Sequence, residues 1–243
     1  LPIAFLAGAL AGMVTGLLNT TLGIPGILAS ILTQISLYSI NLNIMGKANQ
    51  PVSVDNYPLV VSLRYVTDGS VSRLLFFLGM IVFLLALIAV MYWYFGTEQG
   101  HAIRATGCNG NMARAQGINT NFIKVLALMI SNGLVGLCGA LYGQFQGASD
   151  VNMGRGAIVI GLAAVIIGEV LFGKFASKRK LAFAFTLASV ILGAVIYYMV
   201  YQFVLWLKMP SEDMKLFSAI VVAIFLAIPY LKEKRTLRKG ASK

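Results

Sequence analysis

Segment 168–175, GEVLFGKF, places two glycines and Lys174 at the spacing G-x-x-x-x-G-K, the arrangement by which backbone N–H groups and a lysine cradle phosphate oxygens. The next position decides against that chemistry. A phosphate loop needs Ser or Thr there to hold magnesium, and this sequence has Phe175; it also needs a preceding strand, where this one has an apolar run. Nucleotide binding by this chain is not expected. The sequence also lacks G-x-S-x-G, H-E-x-x-H and a Ser/His/Asp constellation, so it is not expected to carry an active site of its own. Cys108 and Cys138 stand apart from each other and from the single His101, which gives neither a metal-ligand set nor a disulfide framework.

The remaining candidates are polar residues inside or beside apolar runs. Glu169 is the one acid so placed. A charge at the bilayer centre costs about 2.5–3.5 kcal/mol on insertion scales, so such a group faces a cavity or a partner. Two roles fit it: a structural one, close to the interface and to Lys174, and a gating or pathway one. Ser131 and Asn132 fall within an apolar run beside a series of glycines, and Asn19 falls at a short turn. Each suits a helix-packing hydrogen bond, and together with Glu169 they could line a polar path.

Membrane helices must position these groups. The chain has 243 residues, of which 58% are hydrophobic and 11% charged, and a mean hydropathy of +0.83, more apolar surface than a soluble domain can bury. About 20 apolar residues cross a hydrocarbon core. Seven segments approach that length: 3–18, 24–40, 74–95, 122–142, 157–172, 181–207 and 216–231. The first, second and fifth are short, as clipped, broken or re-entrant spans would be. The expected fold class is all-α, a polytopic transmembrane helix bundle with at least six to seven spans, forming one domain over 1–243.

Charge orients it. Counting Lys and Arg on alternate sides of the spans gives thirteen on the side of segment 96–121 and the C-terminal tail, and six on the other, so the first side is cytoplasmic. The net charge of +11 follows largely from that bias, and no nucleic-acid partner is expected. Segment 41–72 then faces outward with Asp55 and Asp68. The sequence opens within an apolar run without Met, so one or three further upstream spans are expected.

Glycines mark where helices meet. Gly8, Gly12 and Gly16 recur every four residues, and Gly133, Gly136, Gly139 and Gly143 line a second face with Ala140. Small residues let backbones approach where lipid gives no hydrophobic drive. The cytoplasmic segment GHAIRATGCNGNMARAQGIN, 100–119, interrupts two very apolar runs. Gly107 and Gly117 are expected to end short helices over 101–106 and 112–116, with Asn109 or Asn111 capping the second. So short a helix needs a surface to dock on, although an ordinary loop fits the physics equally well.

That segment, followed by LALMISNGLVGLCGALYGQFQG and GLAAVIIGEVLFG and preceded by GLLNTTLGIPGILASILT, resembles the permease subunits of ATP-binding-cassette importers of the branched-chain amino acid and ribose type. The likeness runs from about Gly12 to the C-terminus. It implies that 96–121 is a coupling loop seated in a cytoplasmic ATPase, with Arg104, Met112, Ala113 and Arg114 as contacts and Gly107 and Gly117 as turns. It also implies that ATP and magnesium belong to that partner, that no cofactor or metal is held in this chain, and that a second permease copy completes a homodimer in the lipid bilayer. An extracytoplasmic binding protein would deliver substrate, and the site would be the inner membrane of a bacterium. Gly168-Glu169 departs from the two glycines of many relatives; with GAVIYYMVYQ and the lysine-rich tail it looks more like the tryptophan and tyrosine uptake branch. Two rivals stay open on the residues alone: an ion-coupled secondary transporter using Glu169, and a membrane scaffold.

Overall fold

The computed structural model describes residues 1–52, 59, 61, 70–154, 157–176, 182–206, 223 and 227. Apart from 223 and 227, the seventh apolar segment lies outside the described residues, as do the basic stretches 178–180 and 232–243 and most of the loop between 53 and 69. The elements in chain order are α1 (Pro2–Thr20), α2 (Gly26–Met45), β1 (Asn49–Pro51), α3 (Ser70–Phe95), α4 (Glu98–Cys108), α5 (Gly110–Ala115), α6 (Thr120–Gln146), β2 (Ala148–Asp150), α7 (Ala157–Ala176) and α8 (Ala182–Trp206). Among the described residues, five helical stretches are long and apolar enough to cross a membrane: Pro2–Thr20, Gly26–Met45, Leu74–Phe95, Thr120–Gln146 and Phe183–Phe203. The chain is an all-α polytopic membrane protein.

The short spans expected at the N-terminus are whole helices of 19 and 20 residues, and α7 is continuous over 20. At about 1.5 Å per residue each is close to 30 Å long. The first two apolar runs read short because polar residues sit inside the helices, Asn19 and Thr20 in α1 and Asn41 and Asn43 in α2. Hydroxyls within these helices donate to carbonyls one turn back: Thr20 to Gly16 and Thr33 to Ala29, at 2.8 and 3.0 Å. A hydroxyl bonded this way costs a membrane helix little.

Packing divides the chain into two compact units, Leu1–Gly154 and Arg155–Lys243. In the first, α1 and α6 run antiparallel in direct backbone contact. A Cβ built on Gly8 would strike the carbonyl oxygen of Asn132, and one on Gly12 the carbonyl oxygen of Leu128. At Gly16 it would stand 2.9 Å from Cα of Val125, at Gly133 2.7 Å from the Phe5 ring, and at Gly136 2.5 Å from the Ala4 carbonyl oxygen. Gly139 and Gly143 serve another neighbour: their Cβ positions lie 3.7 Å from Cε of Met153 and 3.6 Å from the Ala148 oxygen, which is ordinary contact.

α2 joins α1 through two buried threonines, Thr15 and Thr33, whose hydroxyl oxygens are 2.9 Å apart. The turn between these helices is closed by Asn19, whose Nδ2 donates to the Ile24 carbonyl at 2.8 Å. At the other end of α2, Gly46 takes φ +68°, and β1 pairs antiparallel with β2 in the register Asn49↔Asp150, Gln50↔Ser149, Pro51↔Ala148. The ribbon thus ties the C-terminal ends of α2 and α6. α3 is different: none of residues 74–95 is buried, and its packing is against α4 at its C-terminal end. Such a surface suits lipid.

In the second unit α7 and α8 pair by the same device. A Cβ on Gly168 would meet the Ser189 carbonyl, and one on Gly193 the Ala164 carbonyl. Ala163, Ile167 and Tyr197 form the buried cluster beside them.

Overpacking of this kind costs about 1–3 kcal/mol, so Gly12→Val is expected to lower the melting temperature of the detergent-solubilised protein clearly, whereas Gly139→Ala should leave it nearly unchanged. Equal melting of the two variants would show that the α1–α6 seam is not a close contact.

Candidate functional site

The polar segment between α3 and α6 is a built structure. α3 ends at Phe95, and Thr97 starts α4: its hydroxyl lies 2.6 Å from the Tyr94 carbonyl, and its Oγ1 accepts from the Gly100 N–H at 3.4 Å. His101 Nδ1 lies 2.8 Å from the Thr97 carbonyl. Gly100 is buried where a side chain would collide with Tyr94 and Phe95 backbone, so α4 folds tightly back on the end of α3. Tyr94 Oη and Thr106 Oγ1 are buried hydroxyls that have no hydrogen-bond partner among the described residues.

Asn109 then breaks the helix. Extended at φ −154°, it caps α5 with Oδ1 accepting from the N–H groups of Asn111 and Met112, both at 3.1 Å. The expected break at Gly107 is corrected: Gly107 lies in the last turn of α4, which runs on to Cys108 because nothing there needs positive φ. The two helices are also longer or earlier than expected, Glu98–Cys108 and Gly110–Ala115. Gly117 does turn the chain, at φ +85°, a conformation that favours glycine. Asn119 next caps α6, its Oδ1 accepting from the Phe122 N–H at 3.2 Å.

Side chains on α5 divide into two sets. Ala113 is 2% exposed and turned onto this chain, so it fastens α5 rather than presenting a contact. Met112 is 60% exposed. Arg114 is exposed too, and its guanidinium reaches back to buried Thr120 at the start of α6, with Nη2 3.0 Å and Nε 3.4 Å from Oγ1. A guanidinium has five N–H donors, so this anchor leaves others for a partner. Arg104 is exposed on α4. The result is a short knob, capped at both ends, with one large apolar side chain and a tethered cation on its surface.

Within the first unit, Asn19 and Asn132 serve different contacts. Asn19 serves the α1–α2 turn. Asn132 lies on the α1–α6 seam with Nδ2 donating to its own helix at Leu128, 2.9 Å away. Ser131 is exposed beside it. Glu169 is exposed on α7, about 4 Å past the middle of that helix at 1.5 Å per residue, nearer the centre than its sequence neighbours suggest. Gly173 occupies the i+4 position where an ion-pair partner would stand. The capping role of Thr97 and the anchoring role of Thr120 are new; the pair Thr97-Glu98 was the available signal for the first, and nothing in the sequence points to the second.

Residues 1–229 match the family model for the permease component of the branched-chain amino acid transport system. The chain belongs to the branched-chain amino acid transport permease family. It is 40% identical over 225 residues to the tyrosine transport system permease protein of Clostridioides difficile (strain R20291), covering 93% of this chain and 70% of that one. An uncharacterized protein of Rickettsia prowazekii (strain Madrid E) is 29% identical over 228 residues, at 92% and 76% coverage. The autoinducer 2 import system permease protein of Yersinia pseudotuberculosis serotype O:1b (strain IP 31758) is 27% identical over 211 residues, and the chain spans 55% of its length. No solved structure matches. As a family permease the chain is a transport subunit of an ABC-type importer, a multi-pass protein of the bacterial inner membrane, and its family implies ATPase and binding-protein partners.

Loss of a cap costs about 1 kcal/mol, roughly a five-fold change in an opening equilibrium. Asn109→Ala should therefore speed amide exchange at 111–115 by about that factor, with Asn109→Asp close to the original. Unchanged exchange in Asn109→Ala would mean that α5 is held by contacts other than its cap.

Proposed function

We propose that this permease lines the path of an amino acid, of aromatic type, through the membrane, and that α5 is the element through which a separate ATPase drives it. The carrying observation is the capped knob at 97–119, which leaves the bundle, exposes Met112 and returns through Gly117. A helix of six residues is not stable alone, so a structure that holds one out with two side-chain caps and an arginine anchor has a use for its exposed face. The likeness to a tyrosine transport permease supports the substrate class.

In this reading ATP and magnesium stay on the partner ATPase, and a second copy of the permease completes the path. Charge bias puts the knob in the cytoplasm and the β1–β2 ribbon outside. An extracytoplasmic binding protein delivers the solute there. Closure of the ATPase pair moves α5, and the bundle exchanges outward and inward openings by rigid-body rocking. The permease supplies geometry and no covalent step. An ion-coupled mechanism through Glu169 would need no ATPase, and the family to which the chain belongs argues against it.

The test is uptake of labelled L-tyrosine by proteoliposomes holding the full complex with ATP inside. Met112→Asp with Arg114→Glu places two negative charges on the knob; hot-spot truncations cost about 2 kcal/mol or more, so ATPase retention should fall by roughly thirty-fold and ATP-driven uptake with it. Cys108→Ser, at the end of α4 and outside α5, should change neither. Wild-type uptake in the double variant would remove α5 from the coupling path.

A further inference from the structure

At the end of the bundle away from the knob, the ribbon and the last turns of α6 line a shallow, largely open pocket of about 360 Å³. None of its residues belongs to the coupling segment. Its walls carry Asn49, Tyr142, Gln146, Asp150, Asn152 and Met153, that is, one carboxylate, three amides, a phenol and a thioether, with no cationic side chain among them.

The walls are fixed. Beyond the β1–β2 pairs, the Val52 N–H donates to the Gly147 carbonyl at 2.8 Å and the Val151 N–H to the Ala48 carbonyl at 3.0 Å, which holds Asn49 opposite Asp150. The chain then turns: the Asn152 N–H donates to Oδ1 of Asp150 at 2.6 Å, and the Met153 N–H to the Asp150 carbonyl at 3.1 Å. Oδ2 of Asp150 is left without a partner among the described residues. On α6, Gln146 Nε2 donates to the Tyr142 hydroxyl oxygen at 2.7 Å, so the phenol keeps its own proton to give and Gln146 keeps its carbonyl oxygen. Gly139 and Gly143 carry no side chain where Met153 and Ala148 come down on α6.

We infer that this pocket is an outer receiving site for a small solute bearing an ammonium group, with Asp150 as the group that binds the ammonium. The volume lies in the range of small-molecule sites. A lone carboxylate held by its own turn, facing amides and no cation, is complementary to –NH3+, and the amide N–H groups and the phenol proton suit the solute's own carboxylate. The Tyr142 ring and Met153 offer an apolar, polarisable surface to a side chain, and thioether–aromatic contact favours an aromatic one. The open side suits brief occupancy on the way to the bilayer rather than storage. The inference rests on the amino acid transport reading for its place in the cycle, while its binding chemistry stands on the pocket itself.

The experiment uses the permease–ATPase complex in nanodiscs, without binding protein. It carries Ala148→Cys as a reporter in the pocket wall, with the exposed Cys108 and Cys138 changed to Ser. Alkylation of the reporter by a maleimide is timed with L-tyrosine, tyramine, or 3-(4-hydroxyphenyl)propionate, and import of L-tyrosine by the wild-type complex is measured separately. L-tyrosine and tyramine, which keep the ammonium, should slow labelling about ten-fold at ten times their dissociation constant, and the deaminated acid should not. Asp150→Asn should raise the concentration needed by about ten-fold or more, as loss of a charge-assisted bond does, and Asp150→Glu should restore protection. Absence of protection by both amines, or equal protection in Asp150→Asn, overturns the site. Import without protection removes this site and leaves the transport reading; protection without import keeps the site and removes tyrosine as cargo.

Discussion

Along α1 and α6 the backbones touch, and at Gly8 and Gly12 no side chain of any size fits between one helix and the carbonyl groups of the other. Lipid supplies no hydrophobic force to hold two helices together, so what holds them is dispersion over a close, long contact. Everything else in the first unit hangs on that seam. α2 is fastened to α1 by the Thr15–Thr33 pair, and the ribbon fastens α2 to the far end of α6. α6 itself, 27 residues and about 40 Å long, carries the knob's anchor Thr120 at one end and the pocket's Tyr142 and Gln146 at the other. A displacement of α5 would pass through Thr120 to one packed body made of α1, α2 and α6. A transporter that rocks between two openings needs such a body, because a flexible helix would absorb the motion before it reached the opposite surface.

Several polar groups of the described spans follow one rule of the bilayer, a partner within the same helix or across a single contact; the buried Tyr94 hydroxyl is an exception. The threonines of α1 and α2 bond one turn back, Asn132 bonds one turn back on the seam, and Asn19 closes a turn. These bonds give Asn19 and Asn132 a packing role within the first unit. Glu169 stands apart. It is exposed near the middle of α7 on the pair α7–α8, where the cost of a naked charge, about 2.5–3.5 kcal/mol, far exceeds what a surface hydrogen bond returns. A carboxyl so placed calls for a wet or polar neighbour in the assembled transporter.

Helix existence was legible in the sequence because apolar length is a direct physical requirement of the bilayer. Six of the seven apolar segments are helices, and the seventh lies almost wholly outside the described residues. Their ends were less legible: Asn19 and Thr20 stop the first apolar run on paper, yet the Thr20 hydroxyl closes onto the helix, and α2 runs on past Asn41 to Met45. Glycine spacing pointed to contact but could not pair the faces. That Gly8 and Gly12 meet 128–136, while Gly139 and Gly143 seat the 148–153 turn, depends on which helix lies where. Gly107 was misplaced as a turn, since glycine tolerates a helix end without demanding one; Asn109, with a side chain that can cap, sets the break. The ribbon had no signal at all, being three residues a strand with Pro51 at its edge, and with it went the pocket.

The most direct measurement is a structure of the complete transporter, purified with its ATPase in a lipid disc and imaged by electron cryomicroscopy. The result expected has α5 seated in a cleft of the ATPase, with Met112 covered and Ala113 still turned onto its own chain. An ATPase bound elsewhere, or α5 standing free in solvent with Met112 uncovered, would contradict the coupling role from which the transport reading is built.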